Sequence, residues 1–161
     1  MWLEHPEHGR QVDVAVLPLA NYAHVKLYPH SLTAGNARQV SLGVTSGVSI
    51  VGFPFGVSVA DVTAIWTQGT IASEPHLNFD GLPCYLIDSR TREGQSGSPV
   101  LFFSRGGSYP KVDGSVAITP GVVSMFLGVY SGRINENSDL GKVWKPYVVS
   151  EIIDGSKRGR D

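Results

Sequence analysis

The segment Gly94-Gln95-Ser96-Gly97-Ser98-Pro99 holds the residue types that let a serine hydroxyl attack an acyl carbon. A serine hydroxyl is a poor nucleophile until its surroundings activate it and stabilise the charge that the attack creates. Gly94, two residues before the serine, lets the backbone turn so that N–H groups face a developing oxyanion. Gly97 leaves room for a substrate, and Pro99 fixes the exit into the next element. A Gly/Ser-rich turn between two strands would carry the same letters, so the motif alone leaves both readings open.

A second chemical signal is Asp13, set in Val12-Asp13-Val14-Ala15-Val16-Leu17. An ionised carboxylate inside an apolar strand is costly unless a donor satisfies it. An imidazole N–H would do so and would be oriented in return. A strand-edge aspartate facing water, or one accepting a backbone N–H, is the plainer alternative. The lone cysteine, Cys84, reads as a small core residue, and Arg90 and Arg92 as exposed loop arginines beside the serine segment.

The elements that must position these groups read mostly as strands. Apolar runs at Val12–Leu19, Val48–Phe53, Val59–Ala72, Leu82–Ile87, Pro99–Phe103, Val112–Ile118 and Gly121–Tyr130 are bounded by glycine and proline. Because a strand follows Pro99, the G-x-S-x-G elbow of the α/β-hydrolases, which needs a helix there, is not expected. Only Val143, Tyr147, Val148 and Ile152 recur at helical spacing, ahead of Gly155. Trp66, Trp144 and the aromatic residues at 53, 55, 102 and 103 are expected in the core. Strands first and one helix last predict an all-β barrel or sandwich with a C-terminal helix.

Taken in order, these segments resemble the trypsin-like serine peptidases, most closely the disulfide-free bacterial branch that includes the HtrA-type proteases. Asp13-Val-Ala-Val-Leu17 is similar to the segment of the triad acid, and Val51-Gly-Phe-Pro-Phe-Gly56 to one closing the first barrel. Trp66-Thr-Gln-Gly-Thr-Ile71 looks like the strand opening the second barrel, and Asp88 to Pro99 has the spacing D-x5-G-x-S-G-x-P. Gly128-Val-Tyr-Ser-Gly132 resembles the strand beside which substrate lies, and Leu140 to Ile153 the closing strand and helix. The resemblance implies Ser96 as nucleophile, Asp13 as the acid that orients a histidine, and the backbone N–H groups of Gly94 and Ser96 as the oxyanion hole. It also implies a peptide added as an antiparallel strand along Val129, Tyr130, Ser131 and Gly132.

Three positions depart from that pattern. Gln95 stands where the secreted digestive members carry an aspartate that pairs with a newly cleaved N-terminus, so activation by N-terminal insertion is not expected. Ser98 replaces the more usual glycine. The third departure is the histidine, which the family places several strands before the acid. Here His5 and His8 lead straight into the Asp13 strand, and about 3.3 Å of advance per residue carries them away unless the chain folds back. His24, His30 and His76 follow the acid in loop-like surroundings. The simplest account is a chain that begins after the histidine-bearing strands. In a related triad enzyme, loss of the base lowers turnover by about a millionfold, or roughly 8 kcal/mol of barrier.

Composition bounds the remaining possibilities. The chain has 161 residues, 42% hydrophobic and 17% charged, enough for a real core in one compact domain. A formal charge of −1 with interspersed signs lacks the basic stripe of a nucleic-acid binder. No apolar run reaches membrane-spanning length, and the first residues are too polar for a signal peptide. One cysteine excludes an internal disulfide framework, which leans towards a reducing cytoplasmic interior or a bacterial source. Neither metal-ligand spacing nor a phosphate-binding glycine loop is evident, so no cofactor and no metal are expected.

The expected architecture is therefore the C-terminal part of a first Greek-key barrel over residues 1–57, a second barrel with its C-terminal helix over 58–155, and a frayed tail over 156–161. The expected activity is that of a serine endopeptidase acting on a peptide or protein substrate through an acyl-enzyme, inactive without its histidine. A catalytically dead module that holds a peptide or protein partner is the alternative. A second chain that completes the first barrel is a further one, since missing strands would leave exposed edges.

Overall fold

The computed structural model describes residues 1–19, 24, 26–32, 40–60 and 62–159. Among these residues eight strands form, β1 (Gly47–Gly52), β2 (Ile65–Ile71), β3 (Cys84–Asp88), β4 (Pro99–Ser104), β5 (Gly107–Pro110), β6 (Val116–Thr119), β7 (Val123–Arg133) and β8 (Leu140–Trp144). An α-helix, α1 (Pro146–Gly155), follows them. Six strands close into an antiparallel barrel in the order β1-β2-β3-β8-β7-β4, while β5 and β6 make a separate hairpin. The barrel shuts through a short seam in which Ser49 faces Leu101 and Ile50 faces Val100. Irregularities between Val100 and Leu101 and between Tyr130 and Gly132 bend the long strands, as closure of a small barrel requires.

Alternation along the strands fills the interior. Val48, Ile50, Ile71, Tyr85, Ile87, Val100, Tyr130 and Val143 form one buried cluster. Each aliphatic side chain of this kind contributes about 1.5–3 kcal/mol when withdrawn from water. A second cluster, of Val12, Cys84, Trp144, Val148 and Ile152, joins the helix and the N-terminal strap to the barrel wall. Pro146 opens the helix, where its missing N–H costs nothing, and left-handed Ser156 closes it by donating its N–H to the Ile152 carbonyl at 3.1 Å.

Several expected elements differ in the structure. Val12–Leu19 forms no strand: its main-chain pairing is with Leu3, through Val16, and Leu17 and Leu19 are exposed. An apolar run becomes a strand only where neighbouring strands can satisfy its backbone. Val48–Phe53, expected in the first barrel, is largely β1 and runs beside β2 over six residue pairs. The tail expected to fray is paired as far as Gly159: Lys157 accepts the Glu4 N–H, and Gly159 donates to Trp2. Val112–Ile118 breaks into the β5–β6 turn and β6, and Val143 belongs to β8 rather than to the helix. Trp66 and Phe55 are exposed, not core; period-two alternation turns Trp66 outward, where it meets Phe103 edge to face.

Candidate active site

The Ser96 turn is held from within by Gln95. This side chain is fully buried; its Oε1 accepts the Arg92 N–H at 2.7 Å and its Nε2 donates to Thr67 Oγ1 at 3.0 Å. Thr67 passes the connection on to the Ile50 carbonyl, so the turn is tied to both β2 and β1. Gly94 and Gly97 have φ values of +88° and +85°, which glycine adopts without strain and other residues do not. The Ser98 N–H donates to the Gln95 carbonyl at 3.0 Å, and the turn enters β4 through Pro99.

Two flanks fix where the turn points. On one side the Phe55 N–H donates to the Glu93 carbonyl at 2.7 Å, and a β-carbon at position 94 would lie 2.6 Å from the Phe53 carbonyl. On the other, Gly97 N–H and Tyr130 carbonyl pair at 2.7 Å, and Tyr130 N–H and Ser98 carbonyl at 2.9 Å. Ser96 itself is exposed, and its Oγ donates to the Ser131 carbonyl at 3.2 Å. In a planar trans peptide the N–H points opposite to the preceding carbonyl. The Gly94 N–H therefore faces away from the Phe53–Gly56 turn, and the Ser96 N–H away from Ser98. Among the described residues, neither donates to a protein acceptor.

The expected substrate edge is shorter than the sequence suggested. Val129 lies between Pro99 and Trp144, and both main-chain groups of Tyr130 are taken by Gly97 and Ser98, so these two are interior barrel positions. The strand opens only from Ser131, at the irregularity before Gly132, because β4 has by then turned away into the Ser96 loop. Gly132 has φ +133°, and a β-carbon there would stand 3.9 Å from Ser96 Oγ. The Tyr130 ring fills the barrel behind Ser96, hydrogen-bonds Thr91, and occupies the space that any side chain at position 141 would need. Desolvation raises the Tyr130 phenol pKa, with the Thr91 hydrogen bond and the Arg133 charge opposing.

Asp13 is exposed on the N-terminal strap. Its neighbour Val12 packs in the cluster with Trp144, whose strand partner Val129 faces Pro99. No hydrogen bond joins Asp13 to Ser96 or to a histidine among the described residues. The histidines are committed elsewhere or open to solvent. Buried His5 holds Glu151 of α1 through Nε2 at 3.0 Å, and its Nδ1 accepts the N–H groups of Glu7 and His8. His30 stacks on Phe126, His76 stands 3.7 Å from Glu74, and His24 is exposed. Sequence reasoning missed the Gln95–Thr67 tie and the docking of the Phe53–Gly56 turn on Gly94. Neither leaves a local signature, since both join segments far apart in the chain.

Comparison with solved structures finds a similar fold in Rv3671c from M. tuberculosis, captured in an inactive form as a serine-to-alanine variant. The match has a TM-score of 0.51 at 17% identity, and covers 86% of this chain and 58% of that one. This is the trypsin-like barrel fold with its C-terminal helix. No protein-family model matches the sequence, and no curated protein does. At such identity the trypsin-like likeness is one of architecture, and the chain spans little more than half of the protein it matches.

Proposed function

We propose that the protein is the nucleophile-bearing part of a serine endopeptidase of the trypsin-like kind. The observation that carries the proposal is the exposed Ser96 hydroxyl on a turn whose Gly94 and Ser96 N–H groups have no protein acceptor among the described residues. In this reading Ser96 Oγ attacks a peptide carbonyl, and the two amides bind the oxyanion that forms. Main-chain pairing along Ser131–Arg133 holds the acyl side of the substrate as an added strand. Asp13 orients a histidine carried by strands preceding Gly47 in the parent protein, and that histidine takes the Ser96 proton.

Without the base, Ser96 keeps its proton and the chain retains only residual reactivity. Kinship with the HtrA-type branch rests on the order of motifs in the sequence. A fluorophosphonate probe applied to the full-length protein tests the proposal. Labelling of Ser96 that disappears in Ser96→Ala is the expected result. A folded, full-length protein that takes no label while still binding peptides would establish the binding module instead.

A further inference from the structure

Beside the Ser96 turn stands an apolar wall that the chemistry above does not use. Phe53, Phe55 and Val57 are 43%, 68% and 53% exposed within one short turn. Phe55 adopts φ 54° and ψ 22°, a left-handed conformation that disfavours a bulky side chain and suits glycine. The turn is not loose: its Phe55 N–H is bonded to Glu93, and its Phe53 carbonyl presses on Gly94. An aromatic residue is thus held outward, at a conformational cost, on a turn bonded to Glu93, three residues before the candidate nucleophile.

The two flanks of Ser96 give this wall its place along a bound peptide. Ser96 Oγ reaches β7 at Ser131, while Gly94 abuts the Phe53–Gly56 turn on the opposite side. A peptide paired with Ser131–Arg133 that crosses Ser96 leaves over that turn. No charged residue occurs from Gly47 to Ala60, and the residue bonded to the turn, Glu93, is acidic.

We infer that Phe53, Phe55 and Val57 receive the leaving-group side of the substrate and select apolar side chains there. The inference rests on Ser96 being the nucleophile and names a preference that this reading leaves open. Apolar contact would be gained against the two rings, and an acidic residue would lose hydration there beside the Glu93 carboxylate.

Acyl transfer tests it, because an amine acceptor enters the leaving-group side in reverse. Ser96 of the full-length protein is acetylated with p-nitrophenyl acetate, and loss of the acetyl group is followed by intact mass spectrometry. The acceptor nitrogen attacks the acetyl carbon, the bond from that carbon to Ser96 Oγ breaks, and the oxygen regains a proton as the amine loses one. Leucinamide and phenylalaninamide are expected to shorten the acetyl-Ser96 lifetime about fivefold more than glycinamide, and saturably, while aspartic diamide does not. Phe55→Gly, which suits the positive φ, is expected to bring the ratio to about one.

Equal acceleration by all amides, or a preference that survives Phe55→Gly, overturns the inference and leaves the role of Ser96 intact. So does a change of oligomeric mass in Phe55→Gly with acyl transfer unaltered, which would assign the wall to assembly. A Ser96 that accepts neither acetyl nor phosphonyl groups overturns the underlying reading, and the inference with it.

Discussion

The Ser98 hydroxyl oxygen lies 2.0 Å from where a β-carbon on residue 52 would stand, and Ser98 Cβ only 3.2 Å away. Gly52 of β1 and Ser98 of the Ser96 turn therefore share one small volume. Gly52→Ala is expected to destabilise the protein by about 1–3 kcal/mol, the usual cost of overpacking. Ser98→Gly in the same protein should restore most of that loss, read as denaturation midpoints in urea. A Gly52→Ala protein as stable as the parent would contradict the shared volume.

Gln95 joins the turn to the barrel with two hydrogen bonds from a fully buried amide. Gln95→Ala leaves the Arg92 N–H and Thr67 hydroxyl without those partners, at a cost of about 1–3 kcal/mol. Labelling of Ser96 should slow in parallel, since the same bonds hold its backbone. Gln95→Glu is expected to be worse than Ala, because it places a carboxylate where no cation is paired with it. Unfolding curves and labelling rates on the three proteins decide the order.

His5 ties the N-terminal strap to α1 through Glu151. His5→Ala removes that bond and leaves the Glu7 and His8 N–H groups unpaired. Hydrogen exchange in residues 2–16 should rise while the barrel strands keep their protection. Fluorophosphonate labelling of Ser96 should not change, because a buried ring committed to the helix does not serve as its base. Loss of labelling in His5→Ala would assign the general base to His5.

Two tyrosines set an alkaline limit. Burial pushes the Tyr85 phenol far above the ordinary tyrosine range and raises Tyr130 as well. A folded-state pKa above the unfolded value of about 10 means that the native state holds its proton longer. The stabilisation is whole below pH of about 10 and is lost as pH rises through the raised folded values. Tyrosinate absorbance from Tyr85 and Tyr130 should therefore appear only in step with loss of the β-sheet signal. Tyr85→Phe should shift that transition upward in pH; tyrosinate from both residues in intact barrel would refute the assignment.

Much of the architecture was legible in the residues themselves. Apolar runs at Val48–Phe53, Leu82–Ile87 and Pro99–Phe103, bounded by glycine and proline, with helical spacing only from Val143 onward, point to strands followed by one helix. The Gly94–Pro99 letters also foretold a tight turn presenting Ser96, because only glycine accepts the backbone angles found at 94 and 97 without strain. These are local properties, fixed by sterics within a few residues.

Pairing decided the rest, and pairing is not local. Which barrel Gly47–Gly52 joins, where the edge of β7 opens, and what Val12–Leu19 becomes all depend on which segments are present to satisfy the backbone. The same holds for the Phe53–Gly56 turn resting on Gly94 and for Gln95 reaching Thr67 across 28 positions. A sequence states what each segment would bury or expose. Only the closed barrel determines which neighbour each one meets.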